Sequence, residues 1–124
     1  MMILAAEALY YLLRTEWLMW RRGFPAVCDV LKRKASPKAA PGRLKAMRLC
    51  RAVDVACVVH FKNALCLERS AATVMLLRHH NLPAQLVIGA QTLPFKSHAW
   101  VELEGQVVND KPYIRQLYRE LERC

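Results

Sequence analysis

The fold is decided by residues 66–110, whose sequence is CLERSAATVMLLRHHNLPAQLVIGAQTLPFKSHAWVELEGQVVND. Apolar residues recur at helical spacing from Cys66 to His80, which predicts a helix there. Asn81-Leu82-Pro83 ends that helix, because proline cannot continue it. The short run at 85–89 has strand character and ends in glycine. The segment therefore begins as one helix that leads directly into a sheet.

The second half of this segment has the pattern of a β-hairpin. Residues 97–103 alternate between two faces, and Glu104-Gly105 predicts a tight turn. Residues 106–109 then form the returning strand. We expect residues 91–96 to be a loop that either lines a cleft or simply connects two strands. One helix packed on a small antiparallel sheet predicts an α+β fold.

The remainder of the chain is predicted to be mainly helical. Helices are predicted at residues 3–20, 25–34, 43–61 and 113–123. Residues 35–42 form a linker by composition. The length of 124 residues suits a single domain, 1–124, with N-terminal helices in 1–61 and the helix and sheet in 62–124.

The helix at 43–61 is expected to have one buried and one solvated side. Its buried side is predicted to hold Leu44, Met47, Val55, Val58 and Val59. Its solvated side is predicted to hold Arg43, Lys45, Arg48 and Arg51. Ten basic residues and one acidic residue lie between positions 21 and 51. This excess suits an electrostatic docking surface for an acidic partner and equally an ordinary solvated surface.

Net charge and hydropathy indicate which kinds of binding partner the protein has and whether it spans a membrane. Nineteen Lys and Arg residues against ten acidic ones give a net charge of +9, which predicts an anionic or acidic partner. Nucleic acid is the weaker alternative, because no zinc-finger or RNA-recognition motif is present and aromatic residues do not interleave with the basic stretch. Glu7, Arg14 and Glu16 interrupt the apolar N-terminal segment, so no integral membrane segment is expected.

The cysteines argue against a disulfide framework and against a metal site. They number five, and no two form a CxxC pair. We therefore expect reduced thiols in a cytoplasm and no structural zinc. Cys124 is expected to be exposed, whereas Trp17 and Trp100 are expected in the core.

Three residues of the segment could carry chemistry together: Cys66, His98 and Asp110. Cys66 opens a predicted helix, where the helix dipole favours a thiolate. The hairpin turn brings His98 opposite Asp110, so the carboxylate can orient the imidazole toward the thiol. Each residue also has a structural interpretation: a buried cysteine, a packed histidine and a turn aspartate.

A resemblance to a known family decides between these interpretations. The matching blocks are Cys-Leu-x-Arg-Ser at 66–70, Leu-Val-Ile-Gly at 86–89, Pro-Phe at 94–95, Ser-His-Ala-Trp-Val-Glu at 97–102, Gly105 and Val-Asn-Asp at 108–110. In this order they resemble the transglutaminase-like proteins that mature lasso peptides, and they extend over about a third of the chain. The resemblance implies a reduced transglutaminase or papain-like core that acts as a leader peptidase.

The resemblance also implies roles and partners. Cys66 is the nucleophile, His98 the general base and then acid, and Asp110 the orienting residue. General chemistry adds that the tetrahedral oxyanion needs two donors: the Cys66 backbone N–H at the helix start is one, and Asn63 or His60, just upstream, is the candidate for the second. His60 is equally compatible with a core position at the end of the third helix. The chain is similar to the split form of the family, in which leader recognition belongs to a separate protein and a macrolactam cyclase acts next. Arg43, Lys45 and Arg48 are then candidates for binding the leader or its recognition protein. No cofactor or metal is expected.

Other functions stay open at this point. The same fold could be a non-catalytic scaffold that binds the precursor or partner proteins. A basic nucleic-acid-binding protein would show strongly salt-dependent affinity. A true transglutaminase would use the same nucleophile but would need an amine in place of water.

Overall fold

The described residues, 2–33, 43–59, 66–92 and 95–124 of a computed structural model, form helices and an antiparallel sheet. The helices are α1 (Met2–Arg21), α2 (Phe24–Arg33), α3 (Arg43–Val59), α4 (Cys66–His79) and α5 (Ile114–Leu117), and the strands are β1 (Ala84–Thr92), β2 (Phe95–Leu103), β3 (Gln106–Val107) and β4 (Arg119–Arg123). The strands lie in the order β3-β2-β1-β4. The α+β prediction is confirmed.

Helix α4 is the centre of the packing. It contacts α1 and α3 on one side and strands β1 and β2 on the other. Its apolar residues are consequently buried on more than one face, with Ala71, Val74 and Leu77 inside the main core. Asn81 ends the helix in the left-handed region, at φ 66°, and the Leu82 N–H donates to the Leu77 carbonyl. This ending turns the chain into β1.

The hairpins set the register of the sheet. Strands β1 and β2 pair from Ala84↔Leu103 to Thr92↔Phe95, so most of residues 91–96 belongs to strands. The prediction of a loop there is wrong, because the pairing continues to the end of each strand. At the next turn Glu104 and Gly105 have φ 52° and 80°, the conformation of a type I′ turn. The predicted tight turn is therefore confirmed.

The C-terminal segment differs from the predicted helix at 113–123. Only Ile114–Leu117 is helical, and the chain then pairs with β1 as strand β4. Cys124 exchanges two backbone hydrogen bonds with Leu86, of 2.8 and 2.9 Å. A helix would have left this edge of β1 without a partner. The same pairing buries Cys124, which was expected to be exposed.

The predicted burial of α3 is wrong. Its core side consists of small or medium side chains: Ala46, Leu49, Cys50, Ala52, Val53 and Ala56. Four of the residues that we expected inside, Leu44, Met47, Val55 and Val58, are exposed, and the side chain of the fifth, Val59, lies outside the described part of the structure. Small side chains allow α3 to approach α1 and α4 closely, which favours the alanine-rich face. Lys45, Arg48 and Arg51 are exposed as predicted.

Helix α1 also leaves large side chains in solvent. Trp17, expected in the core, is exposed, whereas Trp100 is buried as predicted. The buried side of α1 includes Ala8, Leu12 and Leu18. None of the helices in the described residues is long and apolar enough to cross a membrane.

Candidate active site

The fold brings the start of α4 to the end of the sheet that contains His98. Cys66 is the first residue of α4; its side chain lies outside the described part of the structure. One turn later the Ser70 hydroxyl donates to the Ala99 carbonyl at 3.2 Å. The other end of α4 leads into Ala84, which is paired with Leu103 at the far end of β2. The first turn of α4 therefore lies beside His98 and not beside Leu103.

His98 and Asp110 form a short, half-buried pair. His98 Nε2 lies 2.6 Å from Asp110 Oδ2, and the side chains are 21% and 19% exposed. The other carboxylate oxygen accepts a 2.7 Å hydrogen bond from the Lys111 N–H. The predicted juxtaposition of residues 98 and 110 across the hairpin is thus present. It occurs although β3 ends at Val107, because Val108 still donates to the Val101 carbonyl.

The carboxyl of Asp110 is held in its charged form. Burial by itself raises the pKa of Asp110, but hydrogen bonds from His98 and the Lys111 backbone, with the charges of His98 and Arg69, outweigh it and lower that pKa. An ionised carboxylate can only accept, so His98 Nε2 donates the hydrogen in this contact. In the neutral ring Nδ1 is then the basic nitrogen, available to take a proton.

Aromatic rings fix the plane of the imidazole. The His98 ring stacks on Tyr118, with centroids 5.4 Å apart and planes 30° apart, and lies 6.3 Å from Trp100. Gly89 pairs with His98 in the register and permits this layer. A Cβ at Gly89 would lie 2.8 Å from the Trp100 ring and 2.9 Å from Tyr118 Cβ. The glycine of the 86–89 block is therefore required by this close approach.

A partly buried hydrogen-bond network joins the three segments that bear Cys66, His98 and Asp110. Asn109 Oδ1 accepts from the Val101 N–H at 2.7 Å, and Asn109 Nδ2 donates to Ser70 Oγ at 3.0 Å. Ser70 in turn donates to the Ala99 carbonyl. Neither Ser70 nor Asn109 is among the site residues predicted from the sequence. Their signal was position: Ser70 follows Cys66 by one helical turn, and Asn109 precedes Asp110.

Of the remaining predicted site residues, the structure describes the side chains of some and not of others. His60 and Asn63 lie outside the described residues, and so does the side chain of Arg43. Lys45 Nζ donates to the His80 carbonyl at 3.3 Å. Arg48 lines a cavity of about 550 Å³ beside α1. Lys45 and Arg48 thus belong to the exposed face of α3 and not to the His98–Asp110 pair.

The cysteines outside the site are poor nucleophiles. Burial, followed by a hydrogen bond with Cys124, raises the pKa of the Cys28 thiol to about 12. Burial and the charge of Asp54 raise the pKa of the Cys50 thiol to about 12. The pKa values of Cys57 and Cys124 are also raised, mainly by burial. These four thiols stay protonated at neutral pH, whereas only a thiolate reacts readily as a nucleophile.

The chain is similar in sequence to known proteins. The model of a family described as "Transglutaminase-like superfamily" matches residues 9–123. The chain is 52% identical over 50 residues to the Microcin J25-processing protein McjB of Escherichia coli. That match covers 40% of this chain and 24% of the relative, so the chain corresponds to about a quarter of the relative's length. No solved structure is significantly similar.

Proposed function

Because the chain belongs to the transglutaminase-like superfamily, we propose that it is a cysteine peptidase that removes the leader from a ribosomally made lasso peptide precursor. The single observation that carries the proposal is the 2.6 Å contact between His98 and Asp110, at the end of the sheet where α4 begins with Cys66. The similarity to a microcin-processing protein supports the class of substrate.

The order of events follows from the chemistry of the three residues. The Cys66 thiol transfers its proton to His98 and attacks the carbonyl at the leader–core junction. His98 then protonates the departing amine, which releases the core peptide with a free N-terminus. A water molecule, deprotonated by His98, hydrolyses the thioester and frees the leader. Asp110 holds the imidazole in position and stabilises the imidazolium through its negative charge.

The start of α4 supplies the electrostatics of this mechanism. The first N–H groups of a helix have no partner within the helix, so the Cys66 N–H can donate to the oxyanion of the tetrahedral intermediate. The same positive end of the dipole stabilises a thiolate. Asn63 or His60 provides the second oxyanion donor in this proposal, because both come just before the helix.

The partners follow from the proposed reaction. A separate protein recognises the leader, and a macrolactam cyclase takes the core peptide after cleavage. The exposed Lys45 and Arg48, with Arg43 on the same helix, offer positive charge to an acidic leader or to its recognition protein. The reaction needs no cofactor or metal. Its setting is the cytoplasm, where the thiols stay reduced.

A cleavage assay read by mass spectrometry tests the proposal. The protein is mixed with its leader-recognition protein and precursor, and a Cys66→Ala variant is run in parallel. We expect a single cut at the leader–core junction that is absent in the variant. An intact precursor with the unsubstituted protein, when circular dichroism and a binding assay show a folded and precursor-bound protein, contradicts the peptidase and supports a non-catalytic scaffold.

A further inference from the structure

The exposed face of α3 forms one side of a groove. Leu44, Met47, Arg48 and Arg51 are spaced i, i+3, i+4 and i+7, so they lie on the same side of the helix. Leu44 is 79% exposed and Met47 57% exposed. Together with Leu4 of α1, these four residues line the cavity of about 550 Å³. The core does not need these apolar side chains, because α3 packs through its opposite, alanine-rich face.

The groove continues to the candidate active site. A second, shallower depression of about 450 Å³, more open to solvent, is lined by Met47, Arg51 and Asp54 of α3 and by Asn109 and Asp110. Met47 and Arg51 line both cavities. The surface from Leu44 to Asp54 extends over ten residues of helix, about 15 Å. An extended peptide of about four or five residues has this length.

The charges along the groove are unequal. Arg48 and Arg51 are exposed, and within the described residues neither takes part in an ion pair. Their neighbours at the outer end, Leu4, Leu44 and Met47, are apolar. The carboxylates of Asp54 and Asp110 lie at the inner end. The outer end therefore suits a segment with acidic and apolar side chains, and the inner end does not favour an acidic residue.

We propose that this groove binds an extended segment of the substrate peptide, with apolar side chains on Leu44 and Met47 and an acidic side chain between Arg48 and Arg51. The inference rests on the proposed peptidase function and adds the class of substrate sequence that the site accepts. It also assigns Arg51, Leu44 and Met47 to substrate binding. The bound segment leads along α3 toward His98 and Asp110.

A charge-reversal pair with a matched control tests the groove. The variant Arg48→Glu/Arg51→Glu changes both groove cations. The control Arg22→Glu/Arg33→Glu makes the same change in net charge at two exposed residues of the basic stretch that line neither cavity. Circular dichroism checks that both variants fold, as expected for exposed positions.

The first measurement is binding of a defined probe. Fluorescence anisotropy follows a labelled octapeptide with two Glu and two Leu in a Gly-Ser background, and a second version with Lys in place of Glu. We expect the groove variant to bind the acidic probe about tenfold more weakly, because like charges then meet, and the control to change it less than twofold. Equal weakening in both variants, or equal binding of the Lys probe, would show only general attraction to a +9 protein and would overturn the proposal.

The second measurement is precursor cleavage. We expect the groove variant to raise KM about tenfold with kcat within twofold, because the interaction is uniform binding of substrate. A lowered kcat with unchanged KM would overturn a role in substrate binding. If the unsubstituted protein cleaves no precursor, the peptidase proposal fails, and the probe measurement still decides whether the groove binds acidic and apolar peptide.

Discussion

Two histidine–carboxylate pairs lie at opposite ends of α4, and their local geometry is almost the same. His98 Nε2 is 2.6 Å from Asp110, and His80 Nε2 is 2.8 Å from Glu7. Both histidine side chains are 21% exposed. The pairs differ in their surroundings. The first lies at the end where α4 begins with Cys66, and the second at its C-terminal end, where the dipole favours a cation and disfavours a thiolate.

A short histidine–carboxylate contact is therefore not by itself an active site. The His80–Glu7 pair joins α1 to the end of α4 that is remote from Cys66. The His98–Asp110 pair is surrounded by the Ser70–Asn109 network and by the aromatic layer over Gly89. Such support fixes an imidazole in one orientation, which general base catalysis requires.

Replacing each of the two histidines by alanine should change kcat for precursor cleavage by very different amounts. His98→Ala removes the proposed general base, and we expect kcat for precursor cleavage to fall at least about a thousandfold. His80→Ala removes a pair of the same length and leaves kcat within about twofold. Cleavage kinetics on the two variants, with Tm recorded for each, make the comparison. Equal losses of kcat at equal Tm would mean that His98 has no special role.

An intermediate effect is expected from the network that supports the first pair. Asn109→Ala removes the side chain that joins Val101 and Ser70, and leaves two buried polar groups without that partner. We expect a loss of about 1–3 kcal/mol in the free energy of unfolding. Because the adjacent Asp110 is then less well held, kcat should fall while KM changes little. Ser70→Ala keeps the Asn109–Val101 hydrogen bond, so its effect on kcat should be smaller than that of Asn109→Ala.

A smaller effect is expected on stability at acid pH, where the Asp110 carboxylate becomes protonated. The pKa of Asp110 is lowered in the folded protein, so its contribution to stability is present above the unfolded value of about 3.9 and is lost as pH falls through the lower folded value. This contribution is measured by urea unfolding from pH 6 down to pH 2.5. The free energy of unfolding is compared between the unsubstituted protein and Asp110→Asn. The stability difference should be constant above pH 5 and shrink below pH 4. A stability difference that is independent of pH would contradict the lowered pKa of Asp110 in the folded protein.

The candidate site was the more predictable part, because its signals are local. Glu104-Gly105 fixes the hairpin, and the hairpin brings residue 98 near residue 110. The beginning of α4 at Cys66 also agrees with the prediction. For Ser70 and Asn109 the local pattern gives only their positions near Cys66 and Asp110. Their partners could not be predicted, because the hydrogen bonds join residues 8 to 39 positions apart.

The errors lie where tertiary packing chooses between two local options. Helix α3 has two apolar faces, and hydropathy favours the one with Leu44 and Val58. Close contact with α1 and α4 instead selects the face with Ala46 and Ala56. The C-terminal segment has helical spacing, but the open edge of β1 requires a strand. The local hydropathy pattern of a segment does not show which elements will pack against it, and so it predicts neither the neighbours of α3 nor the open edge of β1.

We expect the Cys66 thiol to be reactive because it stands at the start of α4 beside His98, and not because a histidine–carboxylate pair is merely present. Alkylation by iodoacetamide at pH 6.5, followed at each cysteine by peptide mass spectrometry, tests it without a substrate. We expect Cys66 to react at least tenfold faster than the buried Cys50, His98→Ala to abolish that advantage, and His80→Ala to preserve it. A Cys66 that reacts no faster than Cys50, or that responds equally to both histidine variants, would contradict the claim.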